Sequence, residues 1–476
     1  MASSPQPTEP RRGLGLFSSF ALSFSIISVT TGLFANYGSG LQLAGPMFVW
    51  TWLIVGVGQA LVAGVMAYLS RSIPLSGYAY QWTRRLAGNS LGWWAGWLML
   101  VQFLSGLPAV CLALTTTISG YLGFNLSSSQ LALATVAMMM SIAIVNQLGV
   151  SLAARVNDLS VIAEVVGTVA VGAALFTLAL THHVHPVSFL FTHPHQPTGM
   201  SYLPAFISAS LMAAWTLTGF EGAANLAEET HLPERSVPIA ILGAELSSVV
   251  VGFLVLAGFT LALPSLDATL VQPAPLYFIM SAYFPRAVIG AVVVMVCIAI
   301  YACALANLTA VARMLWAMAR DRQLPGWRWL GSQNHAATPV YAIWIATLIA
   351  AGFTLWARLE EIITGVSVLA GYLTYALIAI SALAGRNASA TDKDGFVRTL
   401  VPRWLSALAV LWLLIFVGFL TIPRENWTSV KATCVAIGVG LLFFAWMRRT
   451  TRVALQQTHI ERLSADVTLM ENGGQS

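Results

Sequence analysis

The chain has 476 residues, 57% of them hydrophobic and only 9% charged, with a net charge of +5. Soluble domains carry about 25% charged residues, so a soluble globular protein is excluded. Apolar windows of about 20 residues recur along nearly the whole length and mark an integral membrane protein. The positive balance reflects topology and not nucleic acid: with twelve spans, nineteen of the 23 Lys and Arg residues fall on one side of the membrane, which places both termini in the cytoplasm.

Residues 1–13 are polar and Pro/Ser-rich and read as a short disordered cytoplasmic tail. Twelve spans follow, at 16–36, 46–69, 91–121, 130–148, 157–180, 203–227, 239–263, 286–318, 340–357, 361–384, 404–422 and 428–447. Residues 14–447 thus form one membrane domain, and 448–476 a second cytoplasmic tail. The four cysteines lie inside spans, so neither a disulfide framework nor a metal spacing is implied. The absence of a phosphate-binding glycine loop argues against ATP-driven chemistry, and no cofactor is expected.

Span 1 carries Ser28-Val29-Thr30-Thr31-Gly32, small, β-branched or hydroxylated residues that suit an unwound backbone. Such residues also occur in intact helices, where Thr bonds back to its own carbonyls. If Thr30, Thr31 and Gly32 are unwound, their amides and the adjoining half-helix end favour a carboxylate. In span 5, Glu164 stands in the apolar run SVIAEVVGTV. It reads either as a proton-coupling carboxylate or as a structural hydrogen-bond acceptor for span 1.

The loop 181–200 holds His182, His183, His185, His193 and His195 and reads as a flexible external loop rather than a zinc site. Span 6 is interrupted at Thr218-Gly219-Phe220-Glu221-Gly222. An acid at a helix centre costs about 2.5–3.5 kcal/mol on insertion scales, and glycine weakens the helix around it. A discontinuous helix facing a polar cavity accounts for both. Glu221 either ties the two half-helices together or lines the pathway. Trp215 and Phe220 flank the break, and Trp215 can offer cation–π contact to an amine or serve as a packing residue. Two interruptions five spans apart are the pattern of an inverted repeat with its site at the midplane.

Gln59, Gln102, Glu245 and Asn307 are further polar residues inside spans; Gln102 in span 3 and Asn307 in span 8 read either as interhelical hydrogen bonds or as residues reaching the cavity, and Tyr301 is a candidate for ligand contact from span 8. Glu228, Glu229, Glu234 and Arg235 follow span 6, and Arg313, Arg320 and Asp321 end span 8. Opposite charges there can latch an inner gate only if several pairs act together.

Four stretches carry a family resemblance: SVTTGLFANYG with the following LAGP, IPLSGYAYQW (73–82), WTLTGFEGAANLAEETHLPERSVPIAI (215–241) and RMLWAMARDRQLPGW (313–327). Together they make the chain similar to the amino acid–polyamine–organocation superfamily, closest to its amino acid/choline permease branch, which includes 4-aminobutyrate permeases. Tyr78 stands where that branch usually has a second glycine. The resemblance implies an all-α membrane fold of twelve helices, with helices 1–5 and 6–10 as inverted repeats, helices 1 and 6 discontinuous and helices 11–12 additional. It implies a substrate carboxylate at Thr30, Thr31 and Gly32, an aromatic cover near Trp215, and carbonyls around Thr216 to Gly219 receiving an ammonium. Thr218, Gly219, Phe220 and Glu221 complete that site, walled by helices 3, 8 and 10. Many relatives have lysine where this chain has Glu164, in a register next to the ion site of sodium-coupled cousins.

The expected activity is transport and not enzymatic. A secondary transporter in the cell membrane would import a small amino acid or related amine with protons, sodium being the alternative coupling ion. Substrate exchange, and nutrient sensing on the same fold, are the rival readings.

Overall fold

The computed structural model describes residues 13–193, 201–272, 274–334, 338–356, 360–385 and 401–449. The tails beyond them and His195 lie outside the described residues. Described residues are almost entirely helical: α1 (Leu16–Ile27), α2 (Val29–Ala44), α3 (Val49–Ser72), α4 (Tyr78–Ala87), α5 (Asn89–Leu122), α6 (Ser128–Gln147), α7 (Val150–Glu164), α8 (Ala170–Thr181), α9 (Tyr202–Thr216), α10 (Gly222–Asn225), α11 (Pro233–Leu261), α12 (Leu266–Leu270), α13 (Pro275–Ser281), α14 (Arg286–Arg320), α15 (Trp327–Leu330), α16 (Val340–Trp356), α17 (Glu360–Ala384) and α18 (Arg403–Leu420). A final helix, α19, covers 427–449. Nine stretches among the described residues are long and apolar enough to cross a bilayer, and Val340–Leu355 is a shorter apolar helix. Exposed side chains such as Leu133, Val250, Leu411 and Leu442 cover the outside of these helices. Apolar exteriors on helices whose backbones satisfy themselves are what hydrocarbon requires, and the protein is an integral membrane protein.

The first interruption is tighter than the sequence suggests. Ser28 alone leaves the helix, at φ 39° and ψ 87°, a left-handed conformation uncommon for a residue with a Cβ. Its hydroxyl then caps the next helix, accepting from the Thr31 N–H at 3.2 Å. That cap lets the chain resume helical geometry at Val29, so Thr30, Thr31 and Gly32 form the first turn of α2 and are not unwound. The second interruption runs from Leu217 to Glu221, with Gly219 at φ 91°. It ends in only one turn, α10, so the expected span 203–227 is not a single helix.

The interrupted helices touch. A side chain at Gly32 would collide with Thr216, and one at Gly219 or Gly222 with Ile26. The glycines therefore permit α2 to lie against α9, and α1 against the second break. Outside this centre, α3 and α11 pack closely: Gly252 accommodates the Trp52 ring, Gly56 faces Val249, and Trp52 Nε1 donates to the Val249 carbonyl at 3.0 Å.

The helix that follows α6 is irregular in one place. Between α7 and α8, Val165–Val169 forms a π-helical turn, an arrangement that carries one surplus residue and recurs at functional sites. Four contacts line α7 and this turn against α1 and α2. Ser18 donates to Asp158 at 3.0 Å, Ser25 meets Ser160 at 2.8 Å, Glu164 accepts from the Thr30 N–H at 2.8 Å, and Thr30 Oγ1 donates to Thr168 at 2.7 Å.

Candidate functional site

A small cavity of about 20 Å³ lies where the two interruptions meet. Ile26, Ile27 and Thr31 border it from the first break, and Trp215, Thr216, Thr218 and Gly219 from the second. Gln102, Phe103 and Val110 of α5, Cys303 and Asn307 of α14, and Ser367 of α17 close the walls. This size holds about one water; an amino acid needs the walls to move apart. None of the bordering side chains is charged.

Four of the expected site residues, Thr31, Trp215, Thr218 and Gly219, border the cavity. Thr30 lies behind it, its N–H and hydroxyl committed to Glu164 and Thr168. The expectation that the amides of Thr30, Thr31 and Gly32 face a ligand does not hold in this conformation. Their N–H groups are bonded to Glu164, to the Ser28 hydroxyl and to the Ser28 carbonyl. The reason is the capping serine, which satisfies the new helix end locally.

Tyr301 is also turned away: its hydroxyl lies 3.4 Å from that of Ser141 on α6. Two positions further along α14, Cys303 faces the cavity and its thiol donates to the Ile26 carbonyl at 3.4 Å. Two residues turn a helix by about 200°, so the cavity-facing position is the one the sequence reading passed over.

Glu221 and Phe220 sit beyond Gly219, fully buried and outside the cavity lining. The Tyr78 hydroxyl donates to Glu221 at 2.7 Å. The Tyr375 hydroxyl lies 2.9 and 2.8 Å from its two oxygens and accepts the Gly219 N–H at 3.1 Å. Phe220 packs on the Tyr375 ring with centroids 5.4 Å apart. Through these two hydroxyls the acid fastens the break to α4 and α17. Sequence reasoning missed both tyrosines. Tyr78 was visible as the departure from the Pro-x-Ser-Gly-Gly pattern; Tyr375, in the apolar run GYLTYALIA, carried no signal.

At the end of the bundle marked by Glu228, the chain is drawn together. Arg313 pairs with Glu229, Arg84 with Asp321, and Arg320 with Glu228 at 3.6 Å. Tyr80 adds a hydrogen bond to Asp321 at 2.9 Å, and the Gly13 and Leu14 N–H groups donate to the Glu229 carbonyl at 3.0 and 3.1 Å. Of the charges read as a possible latch, Glu228, Glu229, Arg313, Arg320 and Asp321 form ion pairs here, with Arg84 of α4 joining Asp321. In the histidine loop, His185 stacks on Phe189 at 4.0 Å and His193 on Tyr202 at 4.6 Å. Among the described residues no group of three His, Cys, Asp or Glu could hold a metal ion.

Two interrupted helices that meet at a cavity inside an otherwise continuous apolar bundle define a polytopic membrane protein. The chain belongs to the amino acid permease family, whose profile matches residues 14–444. It is 28% identical over 369 residues to Amino-acid permease BAT1 homolog of Oryza sativa subsp. japonica, covering 72% of this chain and 71% of that protein. It is 26% identical over 478 residues to Amino-acid permease BAT1 of Arabidopsis thaliana, covering 92% of each. Branched-chain amino acid permease BcaP of Lactococcus lactis is 26% identical over 411 residues, covering 81% of this chain and 86% of that protein.

Proposed function

We propose that the chain is a secondary active transporter that imports a small neutral amino acid with protons, by alternating access. The carrying observation is the meeting of two helix breaks at a cavity whose border has polar backbone ends, Thr31, Thr218, Gln102 and Asn307, but no charge. Once the walls part, such a border suits a zwitterion, with the carboxylate taking over first-turn amides of α2 now bonded to Glu164 and Ser28, and the ammonium near the terminal carbonyls of α1 and α9. Ile26, Ile27, Phe103 and Val110 on the remaining walls favour an apolar side chain over a polyamine. The similarity to a branched-chain amino acid permease agrees with that choice.

Counting α1–α2 and α9–α10 as one interrupted span each, the helices make twelve crossings, two interrupted spans five apart, in the sense of a five-plus-five inverted repeat with two added helices. The basic residues then place both tails, 1–13 and 448–476, in the cytoplasm, around a single membrane domain at 14–447. In this reading the Arg313–Glu229 and Arg84–Asp321 pairs close the inner gate of a cell-membrane carrier. Glu164 is the coupling residue: protonation removes the charge that holds the Thr30 N–H and so loosens the first turn of α2. The runner-up coupling ion, sodium, has no group dedicated to it in this scheme.

The test is uptake by purified protein in proteoliposomes with an imposed inward proton gradient, comparing leucine, 4-aminobutyrate, choline and putrescine. Leucine accumulation that collapses with the gradient is expected. Uptake only against preloaded internal substrate would mean exchange, and binding without flux would mean a sensor.

A further inference from the structure

Glu245, in the middle of α11, is wholly buried, and neither carboxylate oxygen has a hydrogen-bond partner. Its surroundings are equally unsatisfied. Gln59 of α3 has no partner for either amide atom, and the Tyr372 hydroxyl of α17 and the Ser248 hydroxyl of α11 have none. All four residues are 0% exposed. The packing of α3 on α11 brings them together: with Trp52 lodged at Gly252 and Gly56 at Val249, the antiparallel register sets Gln59 opposite Glu245. Tyr372, on α17 packed against α3, stands near both Gln59 and Glu245. Buried polar atoms that converge without partners mark a place where a proton, a water or an ion belongs.

Glu221 immediately precedes α10, which packs against α11 and brings the two carboxylates into one interior. Glu221 has two hydroxyl donors, as described, whereas Glu245 has none. The helices around Glu245 supply no cation. Helices α1, α8 and α17 contain no Lys, Arg or His, and those of α3, α11 and α18 (Arg71, Arg235 and Arg403) stand at helix ends. Of the other titratable groups packed near α11, Tyr37 is bonded to Thr260, and Glu228 and Glu229 are paired with Arg320 and Arg313. Two ionised carboxylates cannot share such an interior without a counter-charge, and unequal surroundings decide which one is neutral.

We infer that Glu245, with Gln59 and Tyr372, forms a proton-binding site in the α3–α11–α17 interface, holding its proton while Glu221 stays ionised. The site stands apart from the coupling role given to Glu164, and it needs no substrate to be tested. A protonated Glu245 becomes a donor, for which the Gln59 carbonyl is the facing acceptor.

The experiment is infrared titration of the purified full chain in lipid nanodiscs, reading the carboxylic-acid C=O band and its shift in D₂O. Wild-type protein should show a protonated-acid band at neutral pH that is lost in Glu245→Gln and kept in Glu221→Gln and Glu164→Gln. A band unchanged in Glu245→Gln overturns the assignment. Should Glu245→Gln not fold, Gln59→Leu and Tyr372→Phe should each move the band, and an unmoved band in both also overturns it. Thermal stabilisation of wild type by NaCl but not choline chloride, lost in Glu245→Gln or Gln59→Leu, would make this a sodium site and likewise refute the proton.

Discussion

Glu164 and Glu221 are both buried acids beside a helix break, but their donors differ in kind. Glu164 receives a backbone N–H and Glu221 two tyrosine hydroxyls. Glu164→Gln keeps an acceptor oxygen for Thr30, so leucine-induced thermal stabilisation should persist while gradient-driven uptake drops by about a hundredfold or more, the scale of a lost proton-transfer group. Unchanged proton dependence would remove Glu164 from coupling. Tyr375→Phe deprives both Glu221 and the Gly219 N–H of a partner. Each buried group left unsatisfied costs about 1–3 kcal/mol, so a lower melting temperature is expected, against little change for Phe220→Leu. Gly219→Leu should abolish binding as well, because φ 91° disfavours any side chain and Ile26 fills the space. The buried acids and the glycines were legible in the sequence, since each violates the apolar rule. Their partners were not: a tyrosine in an apolar helix does not announce which neighbour its hydroxyl meets.

Each helix break is set by what satisfies its ends. The first was expected over Ser28 to Gly32 and occupies Ser28 alone, because a serine hydroxyl caps the helix that follows. The second was expected at Thr218 to Gly222 and lies at Leu217 to Glu221, close to the glycine and acid that betrayed it. Gly32, which looked like part of an unwound run, instead admits Thr216. Composition reports that glycine is needed; it does not tell conformational need from the need for a close approach. Gly32→Val should therefore force α2 from α9 and reduce both stability and leucine binding, without a requirement for altered helicity by circular dichroism. Helix phase was the other gap. On α14 polarity favoured Tyr301 and Asn307; the face pointing inward carries Asn307 with Cys303, and Tyr301 lies off it.

Across the molecule, closure at the Glu228 end rests on several contacts acting together: three ion pairs, the Tyr80 hydroxyl and the segment at Gly13 and Leu14. Arg313 and its partner are largely buried, so removal of one leaves the other charged and stranded, a cost of about 3–5 kcal/mol for a buried pair. Arg313→Ala should weaken the closed arrangement and admit reagents from that side. Cys303 borders the cavity and is buried, which makes it a native reporter. With Cys111, Cys297 and Cys434 replaced by Ser, alkylation of Cys303 by a small maleimide should be slow in the otherwise native chain and faster in the Arg313→Ala background. Equal rates would show that this latch does not control access. That the chain is a bundle of membrane-spanning apolar helices was legible because hydrocarbon imposes a length and a composition. The pairing across the bundle end was legible only as a set of charges, since sequence places charges at a level without assigning partners.

The π-turn at Val165–Val169 has a consequence for how this chain tolerates change. Deleting one residue from a regular membrane helix twists everything downstream by about 100° and points it at the wrong neighbours. Here the surplus residue is already stored, and Val166 is half exposed on the outer surface. Excision of Val166 should be absorbed by winding the loop of slack into ordinary pitch, leaving α8 in place. The strain falls instead on Thr168, whose grip on Thr30 depends on the wider turn.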